Sequence, residues 1–327
     1  MNGRRVVAAV GAVLLIILLA GGVAGYFAWQ RVFATGPLAN ARDVVIPRGA
    51  PADVGDALQR EGVIDTPMLF VAAAEITRSE GTLHAGELAF PAHASLRDVL
   101  TILRTARPVQ HRLTIPEGLT AAQIAQIVDR AEAAAGETPV PAEGQILPET
   151  YAYERGASRT GLIARAEAAM TKTLAQTWAE RAPGSPLTDP RQMLTLASIV
   201  ERETARPEER PHVAGVFLNR LRLGMKLQSD PTVIYGVSGG AGVLDHPLTR
   251  RELDTDNPYN TYRIAGLPPG PIASPGRAAL EAVAHPTVTD DLYFVADGTG
   301  GHVFSRTVEE HNRNVARWRA LQTPAHP

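Results

Sequence analysis

The chain has 327 residues, 45% hydrophobic and 20% charged, enough for one large core or two modest ones. A formal net charge of −2, with no Lys/Arg cluster to track phosphates, excludes nucleic acid as a partner class. The absence of cysteine excludes disulfides, thiol nucleophiles and Cys-based zinc sites.

Residues 1–5 are expected to form a cytoplasmic tail, with Arg4 and Arg5 ahead of an uncharged apolar run from Val6 to Trp29. At about 1.5 Å per residue that run crosses the ~30 Å core of a bilayer, and the two arginines favour an N-inside orientation. Tyr26, Phe27 and Trp29 resemble an interfacial belt. Residues 6–29 are therefore predicted as a retained single-pass transmembrane helix in the inner (plasma) membrane, with the remainder periplasmic. The alternative is a cleaved signal peptide, since Gly22-Val23-Ala24 and Tyr26-Phe27-Ala28 place small residues at possible cleavage points.

From Asn40 to Leu103 the pattern is strand, turn, helix. Val44-Val45-Ile46 is stopped by Pro47 and Gly49, and Ala52–Glu61 carries Val54, Ala57 and Leu58 at helical spacing before Gly62. Leu88-Ala89-Phe90-Pro91 precedes a helix over Ser95–Leu103, with Ser95 as N-cap and Leu96, Val99, Leu100 and Leu103 as its stripe. A third copy opens at Leu113. There Ile115-Pro116-Glu117-Gly118 echoes Ile46-Pro47-Arg48-Gly49, and Ile124, Ile127 and Val128 stripe the helix behind it.

Glu132–Ile146 reads as a surface connection and Gly161–Arg181 as a helix. Asp189 is a predicted N-cap, with Pro190 in the first position of a helix to about Ala205. A further helix runs from Pro211 to near Gly224. The next fifty residues, to Pro275, are dense in Pro, Gly, Asn and Asp. Arg277–Ala284 is a short helix. Leu292–Val295 and His302–Phe304 are strands about an Asp297–Gly301 turn, and Val308–Leu321 is a closing helix. Helices mixed with short turn-linked strands give an α+β class.

Within the helix after Pro190, Leu196, Ile199 and Val200 share a face, and Glu203 is seven, four and three positions on from them. Glu203 thus projects from the apolar side, where desolvation raises a carboxyl's pKa and suits it to general-acid work. Read by periodicity alone, a helix-terminal Glu reaching solvent is an equal alternative. Glu201 falls on a nearly perpendicular face, and its substitution is expected to cost much less. Gly236-Val-Ser-Gly-Gly240 matches a nucleophile elbow, but no helix can start where the elbow requires one. The nine histidines show no metal-ligand spacing, so no metal and no cofactor is expected. Leu227–Tyr235, Asn257–Tyr262 and Gly266–Ile272 combine amides, aromatics and prolines, an inventory that suits a glycan groove and equally suits rigid packed loops.

The segments Leu147-Pro-Glu-Thr-Tyr151, Leu196–Thr204, Val213–Leu221, Leu227–Gly236, Tyr259–Tyr262, Gly266–Ile272, Leu292–Gly298 and His311-Asn312 follow one another across most of Leu113–Trp318. In that combination the chain resembles the endolytic murein transglycosylase, or YceG-like, family of membrane-anchored cell-wall enzymes. The resemblance implies a LysM-like βα module at 40–106. It also implies a catalytic domain at 107–321 that opens with a second βα unit at 110–130, leaving 322–327 as a C-terminal tail. The family's glutamate, carried over by the Ile-Val-Glu-x-Glu-Thr motif, is Glu203.

What the resemblance implies is a lytic transglycosylase that cuts peptidoglycan glycan strands between MurNAc and GlcNAc and leaves 1,6-anhydro ends. It would work on nascent strands beside peptidoglycan synthases and set glycan length. Gln228, Asp230, Asn260 and Tyr262 are candidates for orienting the sugar or the catalytic carboxyl. A hydrolytic muramidase using Asp230 or Glu149 as second carboxyl is one alternative. A non-catalytic wall-binding scaffold is another.

Overall fold

The computed structural model describes residues 3–322. Residues 1–2 of the expected N-terminal tail and 323–327 of the expected C-terminal tail lie outside the described residues. Two compact units divide the chain, Met1–His111 and Arg112–Pro327.

The first unit opens with helix α1 (Gly3–Phe33), which continues past the expected end at Trp29. Its stretch Val10–Phe33 is long and apolar enough to cross a membrane, and its side chains are exposed apart from half-buried Val32. The order then runs β1 (Arg42–Ile46), α2 (Pro51–Arg60), α3 (Pro67–Ile76), β2 (Gly86–Phe90) and α4 (Leu96–Thr105). Strands β1 and β2 pair antiparallel with Val44 opposite Leu88. That register turns Val44, Ile46, Leu88 and Phe90 inward onto Leu58, Phe70, Val99 and Leu100. Both α2 and α4 start at a carboxylate that accepts from the N-cap backbone, Asp53 from Ala50 at 2.8 Å and Asp98 from Ser95 at 3.0 Å. Helix α3 escapes a periodicity reading because Pro67–Ile76 is apolar nearly throughout, so no stripe stands out.

In the second unit β3 (His111–Thr114) pairs with β4 (Thr150–Tyr153). Between them lies α5 (Ala121–Asp129), capped by Thr120 and Gln123. Next come α6 (Arg159–Glu180), α7 (Pro190–Glu203), α8 (Arg210–Arg222), α9 (Asp230–Val237), α10 (Arg250–Leu253) and α11 (Arg277–Ala284). The hairpin of β5 (Tyr293–Ala296) and β6 (His302–Ser305) and the helix α12 (Val308–Gln322) complete it. Helices α9 and α10 fall in the stretch expected to be turns, where Pro231 and Thr249 act as helix starters rather than breakers. The core centres on α7. Leu194, Leu196, Ile199 and Val200 pack on Val213 and Phe217 of α8 and on Leu280 and Val283 of α11. Each such side chain contributes roughly 1.5–3 kcal/mol by leaving water. Mixed helices and short two-stranded sheets agree with the α+β class.

Candidate active site

Asp189 caps α7 through its Oδ1, which accepts from the Gln192 N–H at 2.9 Å, and Pro190 takes the first helical position. From Met193 to Glu201 every residue is buried. The helix is enclosed on all sides, which corrects the reading that put Glu201 off the buried face. The Glu201 side chain is 4% exposed and bonded at both oxygens. Its Oε1 takes Arg210 Nη2 at 2.7 Å, and its Oε2 takes the Gly276 N–H at 2.9 Å. Burial raises its pKa, against that N–H and the Arg210 charge. The same Arg210 nitrogen reaches Glu117 at 3.3 Å. Next in sequence, Arg202 donates to the Gly118 carbonyl at 3.1 Å and the Gly242 carbonyl at 2.8 Å.

Glu203 ends the helix, and Thr204 leaves in an extended conformation. A carboxylate at this end meets the negative pole of the helix. The residue keeps some accessible surface, yet its carboxyl is crowded by protein. Desolvation pushes its pKa up to about 7. A hydrogen bond from Ser229 opposes the shift, the Asp230 charge adds to it, and His302 and Arg220 oppose it more weakly.

The Ser229 hydroxyl donates to Glu203 Oε2 at 2.7 Å. Ser229 is itself fixed, because its N–H donates to Thr261 Oγ1 at 2.9 Å while its carbonyl accepts from Thr232 Oγ1 at 2.7 Å. The two threonine hydroxyls meet at 2.8 Å, and all three residues are fully buried. Gln228, just before, adopts φ 53°, a left-handed conformation uncommon for a non-glycine residue. Its N–H donates to the Thr261 carbonyl, so the strained residue is pinned beside the Ser229 bond.

Asp230 opens α9 and its Oδ1 accepts from the Tyr262 hydroxyl at 2.6 Å. Burial and that carboxylate raise the Tyr262 pKa, so the phenol stays protonated and donates. Arg220 is buried and bridges the Leu292 and Leu227 carbonyls, each at 2.6 Å, with its guanidinium over the Tyr293 ring. On β6, His302 Nδ1 and the His302 N–H both bond Glu209, at 2.7 and 2.9 Å, and Thr204 Oγ1 donates to the same carboxylate at 3.1 Å.

The expected site residues thus separate. Asp230 lies close enough for its charge to act on Glu203, and Tyr262 holds Asp230. Gln228 adjoins Ser229. Asn260 is buried and spends its amide on its own loop, donating to the Leu253 and Thr255 carbonyls and accepting from the Tyr262 N–H. Through that last bond it braces Tyr262. Glu149 is engaged with Arg277 at 2.7 Å. The segments Asn257–Tyr262 and Gly266–Ile272 meet at one cavity, lined by Tyr259 and Gly266–Pro271, whose lining does not include Glu203. Ser229, Thr261, Arg220, His302 and Glu209 were missed. Ser229 stood between two named candidates, and nothing in local spacing marks the others.

Against known proteins, the model of the YceG-like family matches residues 44–317. The chain is 33% identical to a Streptococcus pneumoniae protein named endolytic murein transglycosylase, over 93% of this chain and 63% of that one. A Bacillus subtilis protein of the same name is 38% identical over 53% of this chain and 47% of its own length. The chain therefore spans less than two thirds of either curated relative. A solved structure of a YceG-like protein from Listeria monocytogenes superposes with a TM-score of 0.54 at 28% identity, covering 84% of this chain and 98% of that one.

Proposed function

We propose, from the premise that this chain belongs to the YceG-like family, that it is an endolytic peptidoglycan lytic transglycosylase with Glu203 as its catalytic group. The observation that carries this reading is the Glu203 carboxyl, pushed up to about 7 by burial and tied at one oxygen by Ser229. Such a group is an acid and a base within the same pH range.

The protonated carboxyl gives its proton to the glycosidic oxygen as the bond from the MurNAc anomeric carbon to that oxygen breaks. The six-position hydroxyl of the same MurNAc then bonds to the anomeric carbon, and its proton returns to the carboxylate. The products are a GlcNAc hydroxyl and a 1,6-anhydro-MurNAc end, and Glu203 is restored. With Oε2 held by Ser229, both transfers use Oε1. Arg220 places positive charge near the carboxylate formed midway.

The β1–α2–α3–β2 order, with its antiparallel pair, supports a LysM-like module in the first unit. The length and apolarity of Val10–Phe33 support a single-pass anchor, with the N-terminus cytoplasmic and the enzyme on the periplasmic face. There it would act on nascent strands beside peptidoglycan synthases and limit their length.

A hydrolytic muramidase is the second reading, favoured by one observation: Asp230 is near enough for its charge to act on Glu203. Digestion in heavy-oxygen water separates the two. Unlabelled anhydro ends, lighter than hydrolysed ends by one water, are expected; labelled reducing ends establish the muramidase instead.

A further inference from the structure

The cavity bordered by Gly266–Pro271 has a volume of about 780 Å³ and is lined in part by α7. Its floor is Leu194 and Thr195, nine and eight residues before Glu203, or about 12–14 Å along the helix axis. Polar planar groups and rigid apolar ones alternate around it, with Gln145 and Gln192 among the first and Pro268 and Pro271 among the second. The mixture and the size suit a ligand of several rings held by amides and an aromatic face.

The aromatic face is Tyr259, and it is fixed in advance. Its ring packs on Tyr235 with centroids 4.8 Å apart. The Tyr235 hydroxyl donates to Glu143 Oε2 at 3.2 Å, and Glu143 Oε1 accepts from the Ala121 N–H at 3.0 Å. A ring anchored through two further residues to the start of α5 gives a bound ligand a platform without an ordering cost.

Two chain segments run from this cavity to the carboxyl. Lys226 bridges to Gly266 on the cavity wall, and three residues later Ser229 bonds Glu203. Tyr259 lines the cavity, and three residues later Tyr262 holds Asp230. The cavity and the site are therefore neighbours along the same two stretches of backbone.

We propose that this cavity is a distal glycan subsite, in which sugar rings of the strand remote from the bond being cut stack on Tyr259 and bond the Gln145 and Gln192 amides. The inference rests on the transglycosylase reading. An enzyme that cuts inside a strand must hold sugars away from the scissile bond, and this cavity supplies the hold within a few rings of Glu203.

The test uses the full-length chain in detergent with uncrosslinked glycan strands of defined length, one set too short to reach the cavity and one long. For Tyr259→Ala, the ratio of kcat/KM on long strands to that on short strands is expected to fall about tenfold, through KM. Tyr259→Phe, which keeps the ring, should restore it. Equal loss on both lengths makes Tyr259 a merely structural residue and overturns the subsite, as does an unchanged ratio. Wild-type protein that cuts neither set overturns the transglycosylase reading and the subsite with it, whereas failure of the subsite alone leaves wild-type cleavage intact.

Discussion

The Ser229 hydroxyl and the Glu203 carboxylate meet at 2.7 Å, beside a buried network in which Thr232 and Thr261 hold the Ser229 backbone. The bond favours the charged form of Glu203 and works against the burial that disfavours it. Ser229→Ala should therefore raise the Glu203 pKa further. The alkaline limb of the rate profile moves to higher pH, and the plateau rate falls as Oε1 loses its fixed aim. A pH–kcat profile of the variant checks both; an unmoved limb shows that the bond does not tune the acid.

Glu203→Gln removes the proton and keeps the shape. Activity should drop by at least ~10²–10⁴, the range typical for a general acid–base group. Its stability should move the other way. The folded Glu203 has a pKa near 7 against 4.5 when unfolded, so the native state holds an extra proton between those values. Wild-type stability accordingly falls as pH rises from about 4.5 to 7 and stays reduced above, by about 3 kcal/mol. The variant lacks that loss. Melting curves at pH 5 and pH 8.5 should show it gaining on wild type only at the higher value.

Asp230→Asn separates one carboxyl from two. Under transglycosylation the variant keeps substantial activity. Its alkaline limb shifts to lower pH, because the charge that helps raise the Glu203 pKa is gone. A loss as deep as that of Glu203→Gln, with no shift, would assign Asp230 the second role of a hydrolase.

Glu201→Gln is expected to damage the fold rather than the chemistry. It breaks a buried pair whose Arg210 partner keeps only the longer contact to Glu117. The cost should be about 3 kcal/mol in urea denaturation. Activity per folded molecule should stay within a few-fold of wild type. A stable but inactive protein would instead place Glu201 in the reaction.

Glu203 was singled out in the sequence by the family motif; helical spacing put it on the same apolar side but left a solvent-reaching Glu as an equal alternative. Its neighbour Glu201 was misread for a definable reason. Spacing within one helix distinguishes a buried face from a solvent face, and α7 has no solvent face between Met193 and Glu201. The turn-capped strands at Ile46 and Ile115 were readable from Pro, Gly and the capping residues alone. Helix α9 was not, since Ser229-Asp-Pro-Thr232 is as good a helix start as it is a turn. Arg220, His302 and Glu209 reach the site only through long-range packing, which local pattern does not encode.

The three consecutive residues that end α7 take their partners from widely spaced parts of the chain: Gly118, Arg210, Ser229, Gly242 and Gly276. Order of emergence during synthesis follows from this. When α7 leaves the ribosome, none of its later partners exists, and Glu203 is a helix-terminal carboxylate in water with an ordinary acidity. Its acid strength is set only after Ser229 and Asp230, about 26 residues on, have been added and packed, and His302 joins later still. On the proposed reading, a chain still being made lacks its proton donor, which comes into being as the later segments fold.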